Sequence, residues 1–167
     1  MLPFEKFTEF TRDLQRAGWI EQQSYYKISD HLPIHQIIDK WTPDEKKSSD
    51  YVHYQNGSLI ELRFADDGIF MSYLSAGKSK NAGVGSECMT TLAKLADKHC
   101  LPVTLETYSQ ESILEDLKRL FAFYKRFGFE FFQTTNWEDV VSESDLTDND
   151  HYEGVPMKRT PSIKQDN

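Results

Sequence analysis

The chain has 167 residues and a formal net charge of −8, with 38% hydrophobic and 13% aromatic residues. This is the composition of a globular domain with its own core, and it excludes an intrinsically disordered chain. No stretch has the length of a membrane span, and the excess of acid argues against nucleic acid as a partner.

Two cysteines, Cys88 and Cys100, are too few for a disulfide framework or a cysteine zinc site. The opening "MLPFEKFTEF" lacks a signal-peptide core, so a cytoplasmic protein is expected. Residues 4–17 place Phe4, Phe7, Phe10 and Leu14 on one face and predict an amphipathic helix ending near Gly18. "LPIHQIIDKW" predicts a shorter helix with Ile34, Ile37, Ile38 and Trp41 on its apolar side. His31 and His35 have the spacing of a helical metal pair, but Pro33 lies between them and a third ligand is lacking, so no metal is expected.

The period changes after the polar stretch "TPDEKKSSD". Asn56-Gly57 and Asp67-Gly68 each sit between β-prone runs, and both dipeptides suit tight hairpin turns. They predict a three-stranded antiparallel meander near residues 51–55, 58–64 and 69–75. A glycine-rich loop follows, then a helix from Gly85 to about Lys98, and a short strand in "PVTLETY". A long helix in "SQESILEDLKRLFAFYKRF" carries Ile113, Leu117, Leu120, Phe121, Tyr124 and Phe127 at helical spacing, with Gly128 as its cap. "FEFFQTT" and "GVPMKR" predict two closing strands around an acidic stretch. The order gives one α/β domain over 1–167 with a mixed sheet, an atypical helical part over 1–50 and a frayed tail over 160–167.

Three phosphate-cradling patterns compete for the glycine loop. A Walker loop ending at Gly77, Lys78 and Ser79 needs glycine at position 72, which is Ser72. A dinucleotide fingerprint on Gly83 and Gly85 needs a parallel βαβ unit, whereas the preceding strand here belongs to a hairpin. The third pattern, a basic or amide residue, two of any kind, then Gly-any-Gly, is met by "KNAGVG" with Lys80 first. Glycines let backbone N–H groups approach a pyrophosphate, and a helix start adds unpaired donors. A simple glycine-rich turn from strand to helix is the plain alternative.

The segment "LFAFYKRFGFEFF" follows in the right order, and together with "KNAGVG" and "GVPMKR" it resembles the GNAT acetyltransferase superfamily over about residues 50–159. The resemblance implies a fold with an antiparallel meander, flanking helices and central strands splayed between the fourth and fifth. It implies acetyl-CoA as co-substrate, with no metal. Carried onto this chain, Tyr73, Leu74 and Ser75 would offer backbone groups to the pantetheine arm. Lys80, Asn81, Ala82 and Gly83 would begin the pyrophosphate cradle, and Val84, Gly85 and Ser86 would complete it. Tyr124 would donate a proton or hydrogen bond to the departing thiolate, although spacing alone makes it a core tyrosine beside Leu117, Leu120 and Phe121. Glu106 would take the proton of the amine, with Glu61 a second candidate, particularly if burial raised the carboxyl pKa. An asparagine common in the family is replaced by Leu117.

The resemblance thus implies an N-acetyltransferase acting on a primary amine by direct attack in a ternary complex. Cys88, on an apolar helix, is not a candidate nucleophile. The stretch Trp137 to Glu153 has seven acidic residues and neither lysine nor arginine. It reads as a solvated loop or as an attraction for a cationic small molecule or a basic protein. A second reading is a GNAT-fold binding protein without catalysis, whose Phe and Ile rows would bury against the sheet or form a homodimer contact.

Overall fold

A computed structural model describes residues 1–22, 38, 41–76, 83–107, 114–132 and 155–162. They fall into two compact units, Met1–Val103 with Pro161–Asn167, and Thr104–Thr160. Apart from Ile38 and Trp41, the expected helix over 32–41 lies outside the described residues, as do the first half of the glycine loop, the acidic stretch, His31 and His35.

In the first unit, helix α1 (Pro3–Arg16) starts on a proline, whose missing N–H costs nothing in a first turn. The Leu2 N–H is held by Glu5 Oε2 at 3.0 Å. Phe7, Phe10 and Leu14 are buried, and each such side chain contributes roughly 1.5–3 kcal/mol. Gly18, at φ 101, turns the chain into β1 (Trp19–Glu21). This strand was not expected, since three residues are too few to display an alternation. It pairs antiparallel with β2 (Ser49–His53), so the meander has four strands in the order β1-β2-β3-β4 with β3 (Leu59–Ala65) and β4 (Gly68–Ser75).

The second hairpin differs from expectation by one residue. Ala65 pairs with Gly68, so the turn residues are Asp66 (φ 51) and Asp67 (φ 60), both left-handed. This is the backbone of a type I′ turn, which aspartate tolerates. Gly68 already belongs to the strand, and its reason is tertiary: a Cβ there would meet the Pro102 carbonyl oxygen at 2.5 Å.

Helix α2 (Val84–Lys98) buries Cys88, Met89, Leu92 and Ala96. It ends in a Schellman arrangement, with Leu101 N–H on the Ala96 carbonyl at 2.9 Å and Cys100 N–H on the Asp97 carbonyl at 3.1 Å. Asp13 ties α1 to this end, accepting from Lys98 Nζ at 2.7 Å and lying 2.8 Å from His99 Nε2.

Strand β5 (Val103–Thr107) leads into the second unit, which adds helix α3 (Leu114–Lys125), β6 (Phe129–Phe131) and β7 (Val155–Arg159) in the strand order β5-β7-β6. Its core holds Leu105, Leu117, Phe121, Phe129, Val155 and Met157. Gly128, at φ 88, closes α3 as expected. The architecture is mixed α/β, and no helix among the described residues is long and apolar enough to cross a membrane.

Candidate functional site

Strand β4 carries the three residues expected at the pantetheine. Tyr73, Leu74 and Ser75 pair with Glu61, Ile60 and Leu59 of β3, and Tyr73 is 43% exposed. The register shifts between Glu61 and Leu62, which stand opposite Tyr73 and Met71. Ser72 is therefore the extra residue of a β-bulge, a device that locally re-aims side chains. Its hydroxyl donates to Glu61 Oε1.

Glu61 also faces Asp50 directly across β2 and β3. The Asp50 carboxyl is pushed up, first by burial, then by hydrogen bonding to Glu61 and by the charges of Glu61 and Glu21. A neighbouring carboxylate so close resists ionisation beside it, so Asp50 holds its proton more readily than an isolated acid. Neither the pairing nor Asp50 was legible in sequence; Asp50 read as the end of a solvated loop.

The end of the glycine loop enters α2 through Gly83, at φ 79 in the left-handed region. Among the described residues, no side chain caps this helix start and none lies within 4 Å of a Cβ on Gly83. Val84, Gly85 and Ser86 form the first turn, whose N–H groups lack intrahelical acceptors. Open space beside uncapped donors fits an anionic group such as a pyrophosphate. Glu87 in the same turn is exposed. Lys80, Asn81 and Ala82 lie outside the described residues. On the same helix the Cys88 thiol is buried and pushed up by that burial, which disfavours the thiolate a nucleophile would need.

In the second unit Tyr124 lies on the last turn of α3, its ring edge-on to Phe123 at 5.2 Å and to Phe129 at 5.7 Å. Burial raises its phenol to about 12, so the hydroxyl stays protonated through the physiological range. Glu106, on β5 of the same unit, is exposed, so the burial that would have prepared it as a base is missing. Leu117, standing where the family often has asparagine, is 3% exposed and belongs to the core. Among the described residues no group of three or more His, Cys, Asp or Glu could hold a metal ion.

No family model and no curated protein matches this chain. Solved structures do. In structure the chain is similar to GNAT acetyltransferases. A putative GNAT-family acetyltransferase from Bacteroides thetaiotaomicron is 17% identical, with 87% of this chain and 86% of that one covered and a TM-score of 0.48. Tetrahymena GCN5 is 14% identical over 80% of this chain and 81% of its own, at a TM-score of 0.46. The PaiA N-acetyltransferase from Thermoplasma acidophilum, in complex with coenzyme A, is 14% identical over 96% and 95%, at 0.44.

Proposed function

We propose that the protein is an acetyl-CoA-dependent N-acetyltransferase that acts on a primary amine by direct attack in a ternary complex. The observation that carries this reading is the start of α2, entered through left-handed Gly83 and, among the described residues, without a side-chain cap or a neighbour at the Gly83 Cβ position. Gly83 to Ser86 would hold the pyrophosphate on backbone N–H groups, with Lys80 adding a point charge. Tyr73 to Ser75 would meet the pantetheine arm.

In the reaction the neutral amine nitrogen attacks the thioester carbonyl, the C–S bond breaks, and the thiolate leaves while the nitrogen loses a proton. By the resemblance, Tyr124 would meet the sulfur. A phenol at about 12 is a much weaker acid than a thiol near 8.5, so complete proton transfer is uphill by roughly 5 kcal/mol. Tyr124 therefore serves chiefly as a hydrogen-bond donor to developing charge, the role in which a neutral group in a low-dielectric setting is effective. Glu106, exposed and accessible to water, would receive the amine proton through solvent. Glu61 with Asp50 supports a cationic acceptor, since a carboxylate pair is stabilised by an ammonium group.

Leu117 favours one alternative, a fold that binds partners without turnover, because its side chain fills the core and supplies no polar contact. A thermal shift with acetyl-CoA and thiol release across a panel of amines decide between the two. Saturating acetyl-CoA, at a hundred times its dissociation constant, should add about 2.7 kcal/mol to stability. Tyr124→Phe should lower kcat by roughly tenfold to a thousandfold and leave acetyl-CoA affinity intact. Absence of the shift would remove the cofactor reading, and wild-type turnover in the Phe variant would remove the role of Tyr124.

A further inference from the structure

Strand β7 carries a charge where its pattern calls for an apolar residue. Val155, Met157 and Arg159 share one face; the first two are 1% and 0% exposed, and Arg159 is only 7% exposed. Taking a guanidinium out of water costs several kcal/mol unless its N–H groups are used. Arg159 Nε donates to the carbonyl oxygen of Phe127 at 2.7 Å. That oxygen lies just beyond the C-terminus of α3, where carbonyls lack helical donors and the helix dipole presents its negative end.

The same turn leads directly back to the phenol. Phe127 N–H donates to the Tyr124 carbonyl at 3.0 Å, and Gly128 N–H to the Lys125 carbonyl at 3.0 Å. Arg159 thus holds the Phe127–Gly128 peptide, whose N–H is on the Lys125 carbonyl, while the peptide on the other side of Phe127 is bonded to the Tyr124 carbonyl. A second route runs through the sheet. Phe129 stands opposite Arg159 in the β6–β7 pair, and the Phe129 ring takes the edge of the Tyr124 ring at 5.7 Å. Gly128 lies beside this contact, its Cβ position 3.5 Å from Arg159 Nε, and its left-handed φ of 88 is the reason for glycine there.

We propose that Arg159 is a positioning residue for Tyr124, pinning the exit of α3 so that the phenol keeps one location against the leaving sulfur. This rests on the reading of Tyr124 given above. A residue that acted only on stability would lower the melting point and leave Tyr124 and its kinetics alone.

The test uses the full chain with ¹³Cζ-labelled tyrosine, in wild type, Arg159→Met, Arg159→Lys and Tyr124→Phe. The Tyr124 signal, identified by its loss in Tyr124→Phe, should move in Arg159→Met. Its titration should fall from about 12 toward the ordinary value near 10, while the Tyr51 signal stays in place. Arg159→Lys, which keeps a cation and a donor, should show a smaller movement in the same direction, and it decides the matter should the Met variant not fold. In thiol release with acetyl-CoA, Arg159→Met should lower kcat about tenfold with KM within about twofold, and combining it with Tyr124→Phe should cost no more than Tyr124→Phe alone.

An unmoved Tyr124 signal in folded variants, or losses that multiply in the double variant, overturns the positioning role while a slow Tyr124→Phe keeps the proposed function. Wild-type turnover in Tyr124→Phe overturns both.

Discussion

The carbonyl oxygen of Pro102 lies 2.5 Å from where a Cβ would stand on Gly68, and it accepts the N–H of Ile69 at 2.9 Å. The first residue of β4 and the residue just before β5 are therefore in backbone contact. Gly68→Ala should cost about 1–3 kcal/mol, because the obstacle is main chain and cannot swing aside. Urea unfolding of the variant measures this, and an unchanged midpoint would show that the contact yields.

Cys100 occupies the left-handed position after α2, at φ 52, where helices usually place glycine. Cys100→Gly relieves a conformation that costs a residue with a Cβ about 1–2 kcal/mol. Some of that returns as unfolded-chain entropy, so a net stabilisation of about 0.5–1 kcal/mol is expected. A melting temperature at or below wild type would contradict it.

Asp13 joins α1 to the end of α2. Burial alone would raise its carboxyl, but hydrogen bonds from Lys98, His99 and Arg16 outweigh it and lower the pKa to about 2. The folded value lies below the unfolded one, so the contribution is complete above about pH 4 and is lost as pH falls through 2. Asp13→Asn should destabilise by about 1–2 kcal/mol at pH 7, a figure reduced because Lys98 is largely exposed. The gap to wild type should close progressively in denaturant titrations taken from pH 4 to pH 2.

Asp50 has the opposite sign. Its pKa is raised in the fold by burial and by Glu61, so ionisation favours the unfolded chain and stability falls as pH rises past the ordinary carboxylate value. Asp50→Asn removes a like charge from directly opposite Glu61 and should stabilise by about 0.2–1 kcal/mol at pH 7, with the advantage gone well below pH 4. If the carboxylate pair recognises a cationic acceptor, the same variant should raise KM for that amine and leave KM for acetyl-CoA unchanged.

Much of this fold was legible in the chain. The apolar stripes of α1 and α2 and the alternation in β3 and β4 are local patterns that locate those elements to within a residue or two, and the stripe of α3 locates its end, while its expected start at Ser109 lies outside the described residues. The stop at Gly128 also follows from local backbone needs, whereas the left-handed φ of Gly83 came from the structure. The motif order around Tyr124 raised a tyrosine above its neighbours Leu117 and Phe121, which periodicity alone could not do. Strand β1 was missed because three residues display no period, and the second turn was placed one residue late because Gly68 answers to Pro102 instead of to the turn.

By itself the sequence determined the three helices, the strands from β2 onward and their order, since these depend on neighbours a few residues apart. Only the tertiary structure decided that Asp50 meets Glu61, that Asp13 meets His99, and that Arg159 seizes the Phe127 carbonyl. Those contacts join residues 11, 86 and 32 positions apart. Register and close approach are set by the partner strand or helix, and a one-residue slip would send each side chain to a different neighbour.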